Sequence, residues 1–517
     1  MQKRILIVGA GPSGSYLAKL FSETILEDEV LIVDSRLGEY TRSGSIFDDV
    51  FEKIGITIEN QVEQIKLLER TLYEQLKKTN ITRMKAKFVG FRENKAVINY
   101  EGEDHVLAEV SQIIDCSGAA RVVFKAAEQD NSILLTENPI KKHFIVQIRS
   151  AQLTEAMTES KKIQLERGVP LNCLKFKKLR EQFGWQPYVL PTLAINHLKN
   201  DKILLIGECP DELSPNRLSS WLEAMLEIVF DEPIEYKLAK HYTKTGVYKS
   251  NFGIFTVQPT KIESPIYHLP NGPTIIACGD ARQSHDYRLG DSIITGFNIC
   301  HALMDCLRFI TYEEITELVF NEDRFQSLCQ IMLVEQENRI KILYRERKEK
   351  MEQGVEKLIE QCKKNISNEI DKENKALLIE FLKDLHYLQA CRYEAIAAKL
   401  VKQYFDASKS NSRKIKQKNY LERAIDYLIA ANNILDRDED SKHQALQITI
   451  LVNLYNIYTG LSEYDYAEAI LRKIDALLKN DKVDSMIKVE TIDKLLGQEN
   501  IISEEPNNFR NTKIRFG

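Results

Sequence analysis

The chain of 517 residues lacks several features that would place it in a specialised class. Its nine cysteines include no C-x-x-C pair, which argues against a disulfide framework or a zinc module, and we expect no metal site. No apolar run reaches the length of a membrane span, and no hydrophobic leader precedes the first strand. A net charge of −5 excludes a globally basic surface, so we expect no nucleic-acid partner. These absences predict a cytoplasmic protein, and the length of 517 residues predicts two or more domains.

The strongest pattern in the sequence lies between Arg4 and Asp34, RILIVGAGPSGSYLAKLFSETILEDEVLIVD. Two apolar runs typical of buried strands, ILIV and VLIV, flank an amphipathic helical segment. The turn after the first run contains the pattern G-x-G-x-x-G, formed by Gly9, Gly11 and Gly14. Asp34 ends the second run, twenty residues after Gly14. Together these residues predict a complete β-α-β unit.

Each glycine of this pattern has a physical role in holding a dinucleotide. Gly9 permits a tight turn, Gly11 lets the backbone approach a pyrophosphate, and Gly14 lets helix and strand pack closely. The phosphates would then lie at the N-terminus of the helix, and Asp34 would accept hydrogen bonds from a ribose. The pattern therefore predicts dinucleotide binding. A degenerate unit that has lost its ligand is the alternative.

The segment after Asp34 carries two arginines near the expected path of the dinucleotide, Arg36 and Arg42. A phosphate-binding role and an ordinary surface role are both open for them. Residues Ile46 to Ile54 predict a short helix, and Gln64 to Lys77 have the apolar spacing of a longer one. Short alternating runs between Lys85 and Ile114 then predict a small β-meander.

Two further strand-to-turn segments are candidates for contact with a ligand. In IIDCSGAAR, Ser117 and Gly118 would let the backbone lie against a ligand, although an ordinary turn explains the same residues. The run Thr274 to Cys278 leads into Gly-Asp and then a long apolar helix, which would direct a second helix N-terminus toward the cofactor. Nearby histidines (His143, His197 and His285) and cysteines (Cys116 and Cys278) are interpreted as structural or surface residues.

From about Arg324 the sequence predicts α-helices to about residue 497. Five positions match the packing residues of a tetratricopeptide helical hairpin: Leu451, Leu454, Tyr458, Ala467 and Leu471. A plain helical bundle explains the same residues. The last residues are polar, and we expect a tail without regular structure.

The segments GAGPSG, Asp34, IIDCSG and CGDA resemble the FAD-binding fingerprints of the flavin monooxygenases related to p-hydroxybenzoate hydroxylase. Within that group, roughly residues 1 to 310 are most similar to the monooxygenase domain of the MICAL proteins. The segments that support this narrower resemblance are YTRSG, RTLYEQL, SKKIQLERGV, LPTLAINH and RLGDSIITGF.

The resemblance implies an α/β Rossmann-like FAD-binding domain followed by an all-α region. The first domain would span 1–325, with an inserted substrate-side β-sheet layer at about 142–273. Long connecting helices would span 326–390, a tetratricopeptide-like domain 391–500, and a polar tail 501–517.

The resemblance also implies roles for individual residues. The residues that it or their position assigns to FAD are Gly9, Gly11, Gly14, Asp34, Arg36, Arg42, Arg70, Ser117, Gly118, Asp280, Leu289 and Gly290. Tyr287 and Arg42 are the implied catalytic residues, since Tyr287 stands where the MICAL proteins have an aromatic residue. The chain departs from the family pattern at Arg288, which replaces a proline, and at Ser292, which replaces a glycine.

The activity implied by the resemblance is NADPH-dependent oxygenation of a protein, such as methionine oxidation, through a flavin C4a-hydroperoxide, with the C-terminal helices binding a partner. A small-molecule hydroxylase or a peroxide-producing NADPH oxidase is a second interpretation. A non-catalytic interaction protein that retains the fold is a third. The composition and the pairing of domains also suggest a bacterial effector delivered to a host cell.

Overall fold

The computed structural model describes most of the chain as a series of ranges separated by short gaps. The described residues are 4–24, 26–40, 45–55, 62–156, 162–164, 172–198, 202–230, 233–242, 248–250, 252–312, 315–409, 414–436 and 440–479. The chain divides into two compact units: Met1–Pro170 with Lys178–Lys350, and Leu171–Lys177 with Met351–Gly517.

The strands are β1 (Ile5–Val8), β2 (Val30–Val33), β3 (Ser45–Phe47), β4 (Val62–Gln64), β5 (Thr82–Met84), β6 (Lys87–Arg92), β7 (Lys95–Tyr100), β8 (Glu103–Leu107), β9 (Gln112–Asp115), β10 (Ser132–Leu134), β11 (Lys142–Arg149), β12 (Lys162–Gln164), β13 (Leu193–Leu198), β14 (Lys202–Glu208), β15 (Lys237–Leu238), β16 (Lys240–Tyr242), β17 (Tyr248–Ser250), β18 (Phe252–Thr256), β19 (Thr260–Ile262), β20 (Ile266–His268), β21 (Thr274–Ala277), β22 (Leu307–Tyr312) and β23 (Ile315–Phe320).

The helices are α1 (Pro12–Ser22), α2 (Asp48–Glu52), α3 (Ile65–Leu76), α4 (Val122–Ala126), α5 (Ala151–Ala156), α6 (Cys173–Phe183), α7 (Leu218–Phe230), α8 (Ser292–Cys306), α9 (Glu322–Asn368), α10 (Lys372–Lys409), α11 (Lys414–Leu435), α12 (Ser441–Gly460) and α13 (Tyr464–Leu478).

The predicted β-α-β unit forms the centre of a six-stranded sheet in the first unit. The strand order is β20-β21-β9-β1-β2-β5. Its pairs are parallel except at the β20–β21 edge. Both faces of the sheet are covered, as is usual for strands that are apolar throughout. This topology confirms the expected α/β class of the first part of the chain.

Alternate residues of β1 pack on opposite faces of this sheet. Ile5 and Ile7 belong to a buried cluster with apolar residues of α1, α3 and α8. Leu6 and Val8 belong to a second cluster, which includes apolar residues of β6 and β7. Because successive side chains of a strand point to opposite sides, one four-residue strand contributes to both layers.

The predicted β-meander is a three-stranded antiparallel sheet, in the order β6-β7-β8. The region expected as an inserted layer contains a second, antiparallel sheet with the order β12-β13-β14-β11-β15, and β18 also pairs with β11. Two later strands of the expected insertion pair elsewhere, since β19 pairs with β10 and β20 with β21.

Two local expectations need correction. The predicted helix from Ile46 to Ile54 is shorter, because β3 takes up its start and α2 covers only Asp48–Glu52. The hairpin of β22 and β23 between α8 and α9 was not predicted. Its strands contain adjacent apolar and polar residues in FITY and ITELVF, a pattern without clear turn signals.

The second unit is helical over its described residues, from the later part of α9 to α13. Its core contains small and apolar residues of α10, α11 and α12, including Ala397, Ala424 and Leu454. Tyr458 and Ala467, expected to pack in a helical hairpin, are buried, whereas Leu471 is 38% exposed and does not fill that role. Within the described residues, no helix has the length and apolar character needed to cross a bilayer. The predicted tail lies outside the described residues.

Candidate dinucleotide-binding site

Gly9 and Gly14 are required by the packing of the turn between β1 and α1. Gly9 has a φ of +103°, and a Cβ placed on it would lie 2.5 Å from the carbonyl oxygen of Cys116. A Cβ on Gly14 would lie 1.9 Å from the carbonyl oxygen of Gly9. A side chain at either position would therefore collide with backbone atoms. These two glycines bring the strand, the helix and the end of β9 into close contact.

Gly11 differs from Gly9 and Gly14 because no described residue occupies the space beside it. A Cβ on Gly11 would meet no described atom within 4 Å. Gly11 is also the N-cap residue of α1 and, as a glycine, has no side chain to cap the first backbone N–H groups. Unpaired N–H groups at a helix N-terminus are suited to binding phosphate. The space and the donors fit a dinucleotide pyrophosphate.

Asp34 lies at the end of β2 and holds the glycine turn in place. Its Oδ2 accepts a hydrogen bond of 2.9 Å from the N–H of Ala10, and its Oδ1 accepts one of 2.7 Å from the N–H of Arg36. A carboxylate has about four lone-pair sites, so capacity to accept a ribose hydroxyl remains. The guanidinium of Arg36 lies 3.8 Å from the same carboxylate and is largely exposed.

The turn after β9 is organised by a buried carboxylate. Asp115 accepts hydrogen bonds from the Ser117 N–H at 3.0 Å, the Ser117 hydroxyl at 2.6 Å and the Val123 N–H at 3.1 Å. Burial raises the pKa of Asp115, while the hydrogen bonds from Ser117 oppose that increase. Because the Ser117 hydroxyl is used within the turn, the surface offered to a ligand here is backbone, including Gly118 with its φ of +73°.

Ser13 joins the glycine turn to the Gly279-Asp280 turn. A Cβ on Gly279 would lie 2.5 Å from the Ser13 Oγ, and a Cβ on Gly296 of α8 would lie equally close. The absence of side chains at both glycines therefore lets three segments meet, and half-buried Asp280 follows directly. Cys278 is fully buried, with its sulfur 3.7 Å from that of Cys300, and Cys116 is 8% exposed, which agrees with their interpretation as small buried residues.

Arg121 is a structural residue of this site that sequence reasoning missed. It is 3% exposed, and its Nε donates a hydrogen bond of 2.8 Å to the carbonyl oxygen of Ala281. Its Nη2 donates to the hydroxyl of Thr260 at 2.9 Å. Arg121 thus ties the turn after β9 to the Gly279-Asp280 turn. The signal in the sequence was an arginine directly after a run of small residues, Ser117 to Ala120. Its φ of +47° is a feature of the structure.

Tyr287 and His143 form a hydrogen-bonded pair between the loop before α8 and strand β11. The Nε2 of His143 lies 3.1 Å from the carbonyl oxygen of Ile140, so this nitrogen carries the proton and donates. The Nδ1 of His143 then accepts a hydrogen bond of 2.8 Å from the Tyr287 hydroxyl. Burial lowers the pKa of His143 to about 4, which keeps the imidazole neutral near pH 7. The Tyr287 ring also packs edge-on against Phe255.

Arg288, a departure from the family pattern, lies in a buried network of charges. Its Nε donates to Asp286 at 2.9 Å, and its Nη1 lies 3.5 Å from Glu208. Although burial opposes the effect, the hydrogen bond that Arg288 donates to Asp286 raises the pKa of Arg288. Arg347 of α9 donates from its Nε to Glu208 at 3.2 Å, and Tyr344 donates to Asp286 at 2.9 Å. The Arg288 charge is therefore balanced within the protein.

The remaining predicted site residues are Leu289, Gly290, Arg70 and Arg42. Leu289 packs against Leu135, Ile340 and Tyr344, and exposed Gly290 follows it with a φ of +73°. Arg70 is an exposed residue of α3 whose Nη2 lies 3.5 Å from the carbonyl oxygen of Tyr40. Arg42 lies outside the described residues.

The first unit also has a cavity away from the glycine turn. It has a volume of about 1260 Å³ and is bordered by the end of β11, one side of α7 and strand β15, including Arg149, Glu223 and Tyr236. None of its lining residues belongs to the glycine turn or to the Gly279-Asp280 turn. The candidate dinucleotide site is therefore distinguished by the open side of Gly11 and not by cavity size.

No protein-family model and no curated protein sequence matches the chain. Several solved structures share part of its architecture. The p-nitrophenol 4-monooxygenase PnpA from Pseudomonas putida DLL-E4 has 10% identity and a TM-score of 0.43, covering 58% of this chain and 79% of that one. The flavin-dependent brominase Bmp2 has 10% identity and a TM-score of 0.41, covering 67% and 83%.

The Diels-Alderase PyrE3 of pyrroindomycin biosynthesis has 14% identity and a TM-score of 0.43, covering 73% of this chain and 79% of that one. These three matches have TM-scores below 0.5. They assign neither a family nor an activity to the chain, and the account of its function depends on the geometry of the site.

Proposed function

We propose that the first unit binds FAD and catalyses an NADPH-dependent oxygenation. The observation that carries the proposal is the open space beside Gly11, at a helix N-terminus with no side-chain cap. Asp34 and the turns at Ser117 and Gly279 lie around the same helix–strand junction. A degenerate unit that had lost its ligand would have no need to keep this space clear of side chains.

The ADP half of FAD would lie on the backbone of Gly9, Gly11 and Gly14, with Asp34 accepting from the ribose. Backbone at Ser117 and Gly118 would lie beside the ligand. Asp280 would serve the ribitol and pyrophosphate side, and Leu289 and Gly290 the isoalloxazine. Arg36, Arg42 and Arg70 are the proposed cationic residues for phosphates of FAD or NADPH.

Bound FAD would supply the oxygen chemistry after reduction by NADPH, so the chain's own residues need only bind, orient and exclude water. Tyr287 and Arg42 are the proposed catalytic residues. The neutral imidazole of His143 holds the Tyr287 hydroxyl in one orientation as a donor. The ion pairs of Arg288 hold the adjacent loop in place without placing an uncompensated charge there.

The proposed substrate is a protein, with methionine as the oxidised residue, in line with the resemblance to the MICAL proteins. In such a protein the second unit would recruit the partner. Two residues of α13 support this role, since Tyr464 is 65% exposed and Leu471, seven positions later on the same helix face, is 38% exposed. A small-molecule hydroxylase and a peroxide-producing NADPH oxidase are the competing activities.

A non-catalytic interaction protein is the second candidate, motivated by Arg288 and Ser292, which depart from the family pattern. The loop proposed to lie beside the isoalloxazine is held by the buried charges of Asp286, Arg288, Glu208 and Arg347, with Tyr344. Such a network would equally stabilise a fold kept only as a scaffold. A purified protein that remains colourless after incubation with FAD supports this candidate.

The test is an absorbance spectrum of the full chain with FAD, followed without oxygen after NADPH is added. We expect oxidised-flavin bands that bleach with NADPH and return when oxygen is admitted. Bands that do not bleach contradict NADPH as the reductant. If the cycle operates, peroxide yield with and without a candidate protein distinguishes an oxidase from a protein monooxygenase, and mass spectrometry of that protein detects methionine sulfoxide.

A further inference from the structure

A second, smaller cavity of the first unit has polar atoms that no described residue satisfies. It has a volume of about 100 Å³ and lies between β19, the residues that follow the Gly279-Asp280 turn, and α9. Arg282 and Gln283 line one wall, and Leu333 and Glu337 of α9 line another. By the measure of about 10–15 Å³ per water, this space holds several waters or one small ion.

Arg282 is a buried cation without a carboxylate partner among the described residues. Its side chain is 5% exposed, and its Nη1 has no hydrogen-bond partner. The guanidinium lies over the ring of Phe325, with 5.1 Å to the ring centroid. Burial lowers the pKa of Arg282, as expected for a cation that has been desolvated without a nearby anion. An arginine in this position leaves its charge uncompensated.

Gln283 adds two further unsatisfied groups to the same cavity. It is fully buried, and neither its Nε2 donor nor its Oε1 acceptor has a partner in the described part of the chain. The nearby carboxylate of Glu337 does not compensate Arg282, because it is paired with Lys261 at 2.8 Å and Lys341 at 2.7 Å. The other acidic residue of the lining, Glu263, is exposed. Within the described residues, Arg282 therefore has no buried carboxylate to balance its charge at the cavity.

We propose that this cavity binds a small oxyanion, of the size of a carboxylate or a phosphate. The planar guanidinium of Arg282 can donate two parallel hydrogen bonds to such an anion. Gln283 donates from Nε2 to an anion oxygen, and its Oε1 accepts from a hydroxyl of the ligand or from a water bound beside it. Water alone would satisfy the amide but would leave the charge of Arg282 without an anion.

The site is separate from the proposed FAD site and does not depend on it. Its polar wall residues are Arg282 and Gln283, and none of them belongs to the glycine turn. The anion would supply a counter-charge to Arg282, whereas at Gly11 a phosphate would cap a helix N-terminus. Because α9 supplies one wall and the Gly279-Asp280 turn precedes the other, an anion bound here would join these two segments of the first unit.

The test is calorimetric titration of the full chain, without FAD, with sodium phosphate and separately with sodium acetate. Sodium chloride at equal ionic strength is the reference. We expect saturable heat from at least one oxyanion, weakened about tenfold or more by Arg282→Met, because a hydrogen bond to a charged group is lost. Arg345→Met, at an arginine whose side chain is 68% exposed, is the matched control and should leave binding unchanged.

The two oxyanions distinguish the chemical class of the ligand. Binding of acetate alone indicates a carboxylate ligand, and binding of phosphate alone indicates a phosphate. Gln283→Leu is the second variant and should also weaken binding. Gly11→Val separates this cavity from the helix N-terminus, because heat that persists in Gly11→Val and is lost in Arg282→Met comes from the cavity. The proposal is overturned if neither oxyanion binds, or if binding survives Arg282→Met and Gln283→Leu.

A stability measurement checks that Arg282→Met still folds. Without an added oxyanion, the thermal midpoint of Arg282→Met should equal or exceed that of the wild type, because the variant removes a buried charge with no counter-ion. Phosphate or acetate should raise the midpoint of the wild type and not that of the variant. An equal loss of stability with and without anion identifies a packing role over Phe325 and contradicts the proposal.

Discussion

Arg347 and Glu208 form a buried ion pair that attaches α9 to the end of β14. Arg347 is 4% exposed and Glu208 is fully buried. The Nε of Arg347 donates to the Glu208 Oε1 at 3.2 Å, and a second guanidinium, that of Arg288, lies 3.5 Å from the same oxygen. The first part of α9 is therefore a structural part of the first unit, which ends at Lys350.

Removing one partner of this ion pair should destabilise the first unit strongly. Arg347→Met leaves the charge of the buried Glu208 balanced only by the longer contact to Arg288, beside the hydrogen bond from the Thr192 N–H. We expect a loss of about 3 kcal/mol in the free energy of unfolding. Adding Glu208→Gln should restore much of that loss, because the neutral amide still accepts from the N–H of Thr192. The measurement is denaturant unfolding of the four proteins in a double-mutant cycle.

Tryptophan fluorescence reports specifically on this unfolding transition. The chain has two tryptophans, Trp185 and Trp221, and both are buried in the first unit. Equal stability of Arg347→Met and the wild type would contradict the role given to α9.

The buried His143 should make the first unit less stable in acid. Its folded pKa of about 4 lies below the ordinary 6.5, so between these values the unfolded state binds more protons. Stability is therefore full above about pH 6.5 and falls as the pH decreases toward about 4, by about 3 kcal/mol in total.

The test compares the stability of the wild type with that of His143→Gln as the pH is lowered. The comparison is needed because Asp286, Glu208 and Arg288 also surround His143. His143→Gln can still donate to Ile140 and accept from Tyr287 but cannot be protonated in this range. We expect the stability advantage of the wild type to shrink between neutral pH and about pH 4. A constant difference across that range would contradict the lowered pKa of His143 in the folded protein.

Arg121 should be needed to hold the two turns together. Arg121→Leu leaves the carbonyl oxygen of Ala281 and the hydroxyl of Thr260 without their donor, and we expect a loss of about 1–3 kcal/mol. FAD affinity should also fall, since the Gly279-Asp280 turn is no longer held. The control is Arg92→Leu, whose side chain is 62% exposed. Equal stability and FAD affinity in the two variants would remove this positioning role.

The sequence predicted the elements of the site better than their connections. The glycine pattern, β1, α1, β2 and the helix α3 follow from local periodicity and turn chemistry, which act over a few residues. The Arg121 contacts and the Arg347–Glu208 pair join residues far apart in the sequence: 139 positions separate Arg347 from Glu208. No local pattern records such a pairing.

The miss at β22 and β23 has a related cause. The hairpin follows α8 directly, and the two residues between Tyr312 and Ile315 in the sequence are glutamates rather than glycine, proline or asparagine. The same lack of turn signals predicted the long helices of the second unit correctly. Local sequence signals therefore distinguish helices from strands less well where tertiary contacts decide the structure.

Substitutions of Gly14 and Gly11 should differ in their effect on stability. Gly14→Ala brings a methyl group to 1.9 Å from the Gly9 oxygen, so we expect a loss of about 1–3 kcal/mol. Gly11→Val places its side chain in open space, with an extended φ of −71° and ψ of −172°, and should leave stability within about 0.5 kcal/mol of the wild type. Thermal unfolding of both variants checks this contrast. A destabilised Gly11→Val would mean that the space beside Gly11 is needed for folding.

The most direct test of the account is the FAD affinity of the wild type and of Gly11→Val, measured by equilibrium titration of the full chain. The account predicts that the wild type binds FAD and that Gly11→Val, folded and equally stable, binds it at least about tenfold more weakly, because the valine side chain occupies the space of the pyrophosphate. Equal FAD affinity in the two proteins, or no FAD binding by the wild type, would contradict the proposed site.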